Sequence, residues 1–386
     1  MITKRKHMKV FLILFLTCLS QIPSTGIAQT GKDTGEIMYA GTMPGHGSKG
    51  IYVLGFNRKE QKLVEIQTVD EKRNPNFLAI HPNRKYLYAI YGEGMSLDDK
   101  MGTLMSFTID PATGLLTKLN EQSTEGNGPA HVSVDPKGRF VYVANYGQGN
   151  FAIYPILSDG RLGKAQQVLQ SDGSGFDTAL QKHPFVHSVI PSADGKFIYV
   201  SALGLDKIMI YQVKDAGNFL PGNTPFASSK PGSGPRHLIF TSGGQFAFSV
   251  EEITTTVASY RRSISTGALT PMERFRMVPD TYTERTSGAD IHLSPDDKFL
   301  YVSVRGMNVI AIYSVNTKTG KLTFIGREDG HGDHPRNFCM DKKGEYVFVG
   351  NMKSDNIAVF KRDTKTGKMT FIREESVPQV ACLIQP

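Results

Sequence analysis

The sequence predicts an all-β fold: a seven-bladed β-propeller whose N- and C-terminal strands close the ring within one blade. Seven short alternating stretches open just after a Gly- or Pro-rich turn, at Asn76, Ala130, His187, Arg236, Ala289, Arg336 and Gln379, at spacings of 43 to 57 residues. A period of about 40 to 50 residues with β-type alternation marks a propeller blade. The second observation concerns the ends. Glu36 to Gly41 reads as the second strand of a blade with no inner strand before it, and the C-terminal VPQVACLI reads as an inner strand with nothing after it. Pairing them makes one blade and removes the exposed edges of an open array.

The elements follow in chain order. Lys4, Arg5, Lys6 and Lys9 precede an apolar run from Val10 to Leu19, and the small-residue site Gly26-Ile27-Ala28 follows. This is the pattern of a secretory signal. Residues 1–28 are therefore read as a leader cleaved after Ala28, and 29–386 as one propeller domain in the periplasm or outside the cell. Thr17 before Cys18 fits a lipoprotein site poorly. The apolar run is too short for a comfortable span, and no later stretch approaches 18 consecutive apolar residues, so no stable membrane span is expected after cleavage.

Within the domain, His131 to Val134 alternates as an inner strand, Asp135-Pro136-Lys137-Gly138 turns, and Phe140 to Ala144 alternates again. A third strand ends at Ile153-Tyr154 before a turn at Asp159-Gly160. The same grammar returns in DDKFLYVSVRGMNVIAIYSVNTKTGKLTFI and KGEYVFVGNMKSDNIAVFKRDTKTGKMTFI. Four short antiparallel strands rich in β-branched and aromatic residues make one blade.

Composition narrows the function classes. Losing the leader's four positive charges lowers the net charge from +8 to +4, and no Lys/Arg run is interleaved with aromatics. Nucleic acid is not an expected partner. Cys339 and Cys382 lie three residues after their strand openings and read as buried apolar thiols rather than a disulfide. No CxxC or Cys/His spacing suggests zinc.

Inner strands line a propeller's channel, so the seven openings form a ring at its mouth. Positions just after the second strands, Gly92, Tyr146, Leu203, Glu252, Arg305 and Met352, form another. His187, Arg236, Glu252 and Arg305 come from consecutive repeats, with Arg336 one repeat further on and Asn76, Ala130, Gly92 and Tyr146 opposite. The charge is one-sided and mostly cationic. Arginines in a concave mouth can hold a carboxylate or phosphate and stabilise the oxyanion formed when a carbonyl is attacked. Glu252 could accept a proton from water and His187 could supply one to a departing alkoxide near neutral pH, or the two roles could be exchanged. These parts suit hydrolysis of a cyclic ester. Strict alternation aims His131 and His237 at neighbouring blades. Asp290 shares a face with His292 as a structural pair and is placed to orient an arginine. The loop from Pro279 to Ser287 is the best lid candidate.

The segments GPAHVSVDPKGRFVYVANYG, HSVIPSADGKFIYV with LGLD, GPRHLIF, ADIHLSPDDKFLYVSVRG and HPRNFCMDKKGEYVFVGN together resemble the seven-bladed propeller lactonase family, typified by bacterial 6-phosphogluconolactonase of the propeller type. A fungal muconate-lactonising enzyme is related. The resemblance implies a metal-independent, cofactor-free lactone hydrolase with His187, Arg236, Glu252 and Arg305 as catalytic positions. Substrate contacts are expected from Arg336, Asn76, Tyr146, Asp290 and Glu251. This chain departs from many relatives in carrying Phe185 in place of the first His of His-x-His, Glu251 where Asn precedes the Glu, and Val304 where Asp or Asn precedes the last Arg. An exported protein is separated from the cytoplasmic pentose phosphate lactone, so the expected substrate is another anionic or polyhydroxylated sugar-acid lactone. The rival is a non-catalytic propeller that captures an anionic sugar or a protein partner. A metal-dependent sugar lactonase is disfavoured because arginines around one carboxylate would repel a divalent cation.

Overall fold

The second strand of a typical repeat, Phe299–Arg305 or Tyr346–Asn351, is buried along its whole length. Continuous burial requires a neighbour on both faces of the sheet, and a ring of radially stacked sheets supplies it. In the computed structural model, which describes residues 35–70, 75–92, 100–214 and 218–386, the strands, β1 to β28 in chain order, form seven four-stranded antiparallel sheets. The expected leader, residues 1–28, lies outside the described residues.

Blade one is made from both ends of the chain. Its strands run β28 (Val380–Ile384), β1 (Glu36–Thr42), β2 (Gly50–Asn57) and β3 (Lys62–Asp70), with Ile384 opposite Tyr39 and Cys382 opposite Gly41. Blades two to seven each begin with an inner strand: β4 (Pro75–Ile80), β8 (Pro129–Val134), β12 (Val186–Pro191), β16 (Pro235–Phe240), β20 (Ser287–Leu293) and β24 (Pro335–Met340).

The hydrophobic core is distributed in the same way. Seven apolar clusters form, one at each junction between consecutive blades; Phe248 and Val250 of blade five, for example, pack with Leu300 and Val302 of blade six. Tyrosines reinforce four junctions. Tyr39, Tyr88, Tyr199 and Tyr301 each donate a hydrogen bond to a glycine carbonyl of the next blade, at Gly114, Gly160, Gly267 and Gly367. Arg262 and Arg362 brace two of these hydroxyls at 2.6 Å. These tyrosine ties lie away from the mouth and do not use its arginines. Cys339 and Cys382 are buried free thiols.

Candidate active site at the channel mouth

Six of the seven strand openings found in the sequence sit at β-bulges; the seventh, Gln379, lies just before β28, whose slip falls at Ala381. Pro235 pairs with Glu251 and His237 with Val250, leaving Arg236 between them outside the ladder. Asn76, Ala130, His187 and Arg336 occupy the same slip in their strands, and in blade six both Ala289 and Asp290 fall between Gly288 and Ile291. A bulge adds a residue to one strand and re-aims its neighbours. Alternation therefore fails here, and the aim expected for His131 and His237 is corrected. Both rings meet in the channel, with His131 to His237 at 5.4 Å, His187 to His237 at 5.1 Å and Phe77 to His131 at 4.5 Å between centroids.

Above this plug of rings lies a cavity of about 330 Å³, lined by His187, Arg236, Glu252, Arg305, Arg336, Tyr146 and Asn76 among others. Glu252 follows β17 (Phe246–Glu251) directly, and its amide is anchored to the Gly234 carbonyl at 2.7 Å. Its carboxylate receives two guanidiniums: Arg236 Nε lies 2.8 Å from Oε2 and Arg305 Nη2 lies 3.1 Å from Oε1. Arg305 Nη2 also donates to the Gly288 carbonyl at 2.8 Å, and Arg236 Nη1 donates to that of Ala289. Arg336 has no hydrogen-bond or ion-pair partner among the described residues. Three guanidiniums face one carboxylate.

The field follows from that count. Burial pushes Arg236 down to about 9, aided by the Arg305 charge and opposed by Glu252. Arg336 is pushed down to about 10 by burial and by Arg305. Both remain protonated at neutral pH. Burial alone would raise the Glu252 carboxyl, but the charges of Arg305 and Arg236 prevail and hold it below the usual carboxylate range. His187 differs from expectation. Burial, followed by the charge of Arg236, drives its imidazole well below the ordinary histidine value. The ring is neutral near pH 7 and is a poor donor to a leaving alkoxide.

The remaining sequence-predicted residues separate into two groups. Asn76 lines the cavity and donates from Nδ2 to the Pro129 carbonyl at 2.7 Å, leaving its buried Oδ1 unpartnered. Tyr146 forms one wall, edge-on to His187 at 5.6 Å and stacked on Phe185 at 4.6 Å. Glu251 and Asp290 are not brought to the cavity. Glu251 is fully buried, accepts from Thr256 at 2.5 Å and is bound by Arg274 Nε at 3.1 Å. Consecutive residues on a strand face opposite ways, so Glu252 and Glu251 cannot both look into the mouth. Asp290 lies deeper in the channel, where it binds His237 at 2.8 Å and His292 at 2.9 Å. Of the chain's three departures, Phe185 backs Tyr146, Glu251 binds Arg274, and Val304 is buried in an interblade core. None of them lines the cavity.

Met43 and Pro44 also line it. The signal for Met43 was available: it follows β1, the second strand of blade one, and its amide bonds the Gln379 carbonyl at 2.8 Å as that of Glu252 bonds Gly234. It is the seventh member of the second ring. The lid expected at Pro279 to Ser287 does not line the cavity; Tyr282 there is tied to Gly306 at 3.3 Å. Among the described residues, no group of three or more His, Cys, Asp or Glu is placed to hold a metal ion.

A closed ring of seven blades with a cationic pocket at its mouth defines the class, and sequence comparison gives the family. Residues 37–385 match the family described as lactonase, 7-bladed beta-propeller, and the chain belongs to it. It is 34% identical over 314 residues to a 6-phosphogluconolactonase of Formosa agariphila, covering 80% of this chain and 86% of that protein. A 6-phosphogluconolactonase of Bacillus subtilis is 31% identical, with 84% and 90% covered. The solved structure of the periplasmic gluconolactonase of Pseudomonas aeruginosa superposes with a TM-score of 0.85 at 28% identity, covering 90% of this chain and 98% of that one.

Proposed function

We propose that this protein is an exported, metal-independent hydrolase of sugar-acid lactones. The observation that carries this is the cluster of three guanidiniums around Glu252 in a cavity, on a propeller whose relatives are named for lactone hydrolysis. Arg236 and Arg305 polarise the lactone carbonyl and receive the oxyanion, while Glu252 takes a proton from the attacking water. As negative charge grows on the substrate oxygen, it draws the guanidiniums and weakens their hold on Glu252, so the carboxylate becomes a better base when needed. The carbon to ring-oxygen bond then breaks, and the proton held by Glu252 passes to that oxygen. Neutral His187 serves as a hydrogen-bonding wall instead of an acid. Arg336 holds an anionic substituent. Export is supported by the leader pattern and by the periplasmic Pseudomonas relative.

Purified mature protein incubated with gluconolactone and with its 6-phosphate should release acid faster than the uncatalysed reaction. Glu252→Gln should lower that rate by about 10²- to 10⁴-fold, the usual contribution of a general base. An unchanged rate would refute the mechanism. Because both oxygens of Glu252 are already in ion pairs, a non-catalytic anionic-sugar binder is the second reading. Tight gluconate binding without acid release would select it.

A further inference from the structure

Arg236 is held by more than Glu252. Its Nη1 donates to the Ala289 carbonyl and lies 3.3 Å from His237 Nε2. His237 Nδ1 lies 2.8 Å from Asp290 Oδ1. Asp290 Oδ2 takes His292 Nε2 at 2.9 Å, Asn337 Nδ2 at 2.6 Å and the Phe338 amide at 3.3 Å. Arg236, His237 and Asp290 are respectively 2%, 5% and 3% exposed, so these direct partners take the place of bulk water.

The donor inventory fixes the proton. A guanidinium only donates, so Nε2 of His237 must accept and the ring proton must sit on Nδ1, where Asp290 receives it. Asp290 faces donors on both oxygens, which requires its ionised form. Nε lies at ion-pair distance from Glu252 without a hydrogen bond and both Nη1 hydrogens are engaged, so Arg236 retains the Nη2 pair, for which no partner exists among the described residues. The bulge makes this possible, because it lets adjacent Arg236 and His237 face the same channel.

We propose that His237 and Asp290 are positioning residues: a buried carboxylate–imidazole–guanidinium relay sets the roll of Arg236 so that Nη2 points at the substrate carbonyl. This rests on the lactonase reading for its kinetic consequence, but not for its geometry. The charged and titratable groups facing His237 are Arg236, Asp290, His131, His187 and His292, and none of them offers Nε2 another donor as close as Nη1.

The test has two arms. In protein labelled with [15N]histidine, long-range proton–nitrogen correlation at pH 7 should show His237 as the neutral Nδ1–H tautomer; an Nε2–H tautomer overturns the proposal. With gluconolactone, His237→Leu should lower kcat by about 10- to 100-fold, as loss of an orienting outer partner does elsewhere, with KM nearly unchanged. His237→Gln, which keeps an acceptor toward Arg236, should recover most of the loss. If correctly folded His237→Leu keeps its kcat, or if KM moves instead, the relay has no positioning role. If the wild-type protein hydrolyses no lactone yet shows the Nδ1–H tautomer, the functional reading fails while the relay geometry stands.

Discussion

Arg336→Gln is expected to make the protein more stable and less able to bind an anionic lactone. In the cavity Arg336 is partly buried, faces Arg305 and has no partner among the described residues; burial and the Arg305 charge bring its pKa down to about 10. Its ordinary value lies above 12, and at about 1.4 kcal/mol per pH unit the folded protein disfavours this charge by about 3 kcal/mol. The sign follows from linkage: at pH 7 the group is protonated in folded and unfolded chains alike, so the folded state bears the whole penalty, relieved only above pH about 10. Substitution by Gln removes it while losing some stem packing, for a net gain of about 1–2 kcal/mol, or on the order of a few degrees in Tm. With an anionic substrate bound, the same guanidinium supplies a charge-assisted hydrogen bond of about 1.5–3 kcal/mol. KM for the 6-phosphorylated lactone should therefore rise about 10- to 150-fold, with a much smaller change for neutral gluconolactone. Thermal melts, with and without inorganic phosphate, and steady-state kinetics on both lactones measure these effects. A variant that melts several degrees lower, or that loses kcat equally on both substrates at unchanged KM, would refute the reasoning.

Other outcomes can be measured with the same preparations. Because its arginine partners hold Glu252 below the usual carboxylate range, kcat/KM should stay level from pH 7 to about 5 and fall only below about pH 4.5. The stability contributed by Glu252 should likewise persist above its unfolded value and disappear as pH drops through the folded one; an activity limb centred near pH 6.5 would instead reinstate His187 as a titrating acid. Dialysis against EDTA should leave the rate unchanged, and loss restored by a divalent cation would overturn metal independence. Glu251→Gln should cost about 1–3 kcal/mol by weakening the buried tie to Arg274, without altering KM for either lactone. A shift in KM there would place Glu251 in substrate recognition after all.

The fold was legible because repetition writes the same pattern many times. Each blade must bury both faces of its second strand, so FVYVAN, FLYVSVR and YVFVGN had to look alike, and the incomplete blades at the two ends could be matched. Repetition also revealed the departures from it: His187, Arg236 and Arg336 stand where Ala130 and Ala289 stand in other repeats. Aim was less legible. Period-2 alternation misplaced His131 and His237, because a ladder pattern does not reveal the residue that a bulge removes from the ladder. Glu251 and Glu252 are indistinguishable as letters, and only the strand's last paired residue decides which one faces Arg274 and which faces the mouth.

The sequence by itself determined the number of blades, the closure of the ring and which repeats bring charge to the mouth, since all three depend on residue type and spacing along the chain. Tertiary structure decided the chemistry of those charges. Three guanidiniums become a net positive field only when they share a cavity with a single carboxylate. His187 loses its capacity to take up a proton near neutral pH only when that field and its burial coincide. Asp290, Arg236 and His237 become a relay only when two blades and a bulge bring them within hydrogen-bond reach. Protonation and orientation depend on distances between blades, and those distances are set by how the ring packs.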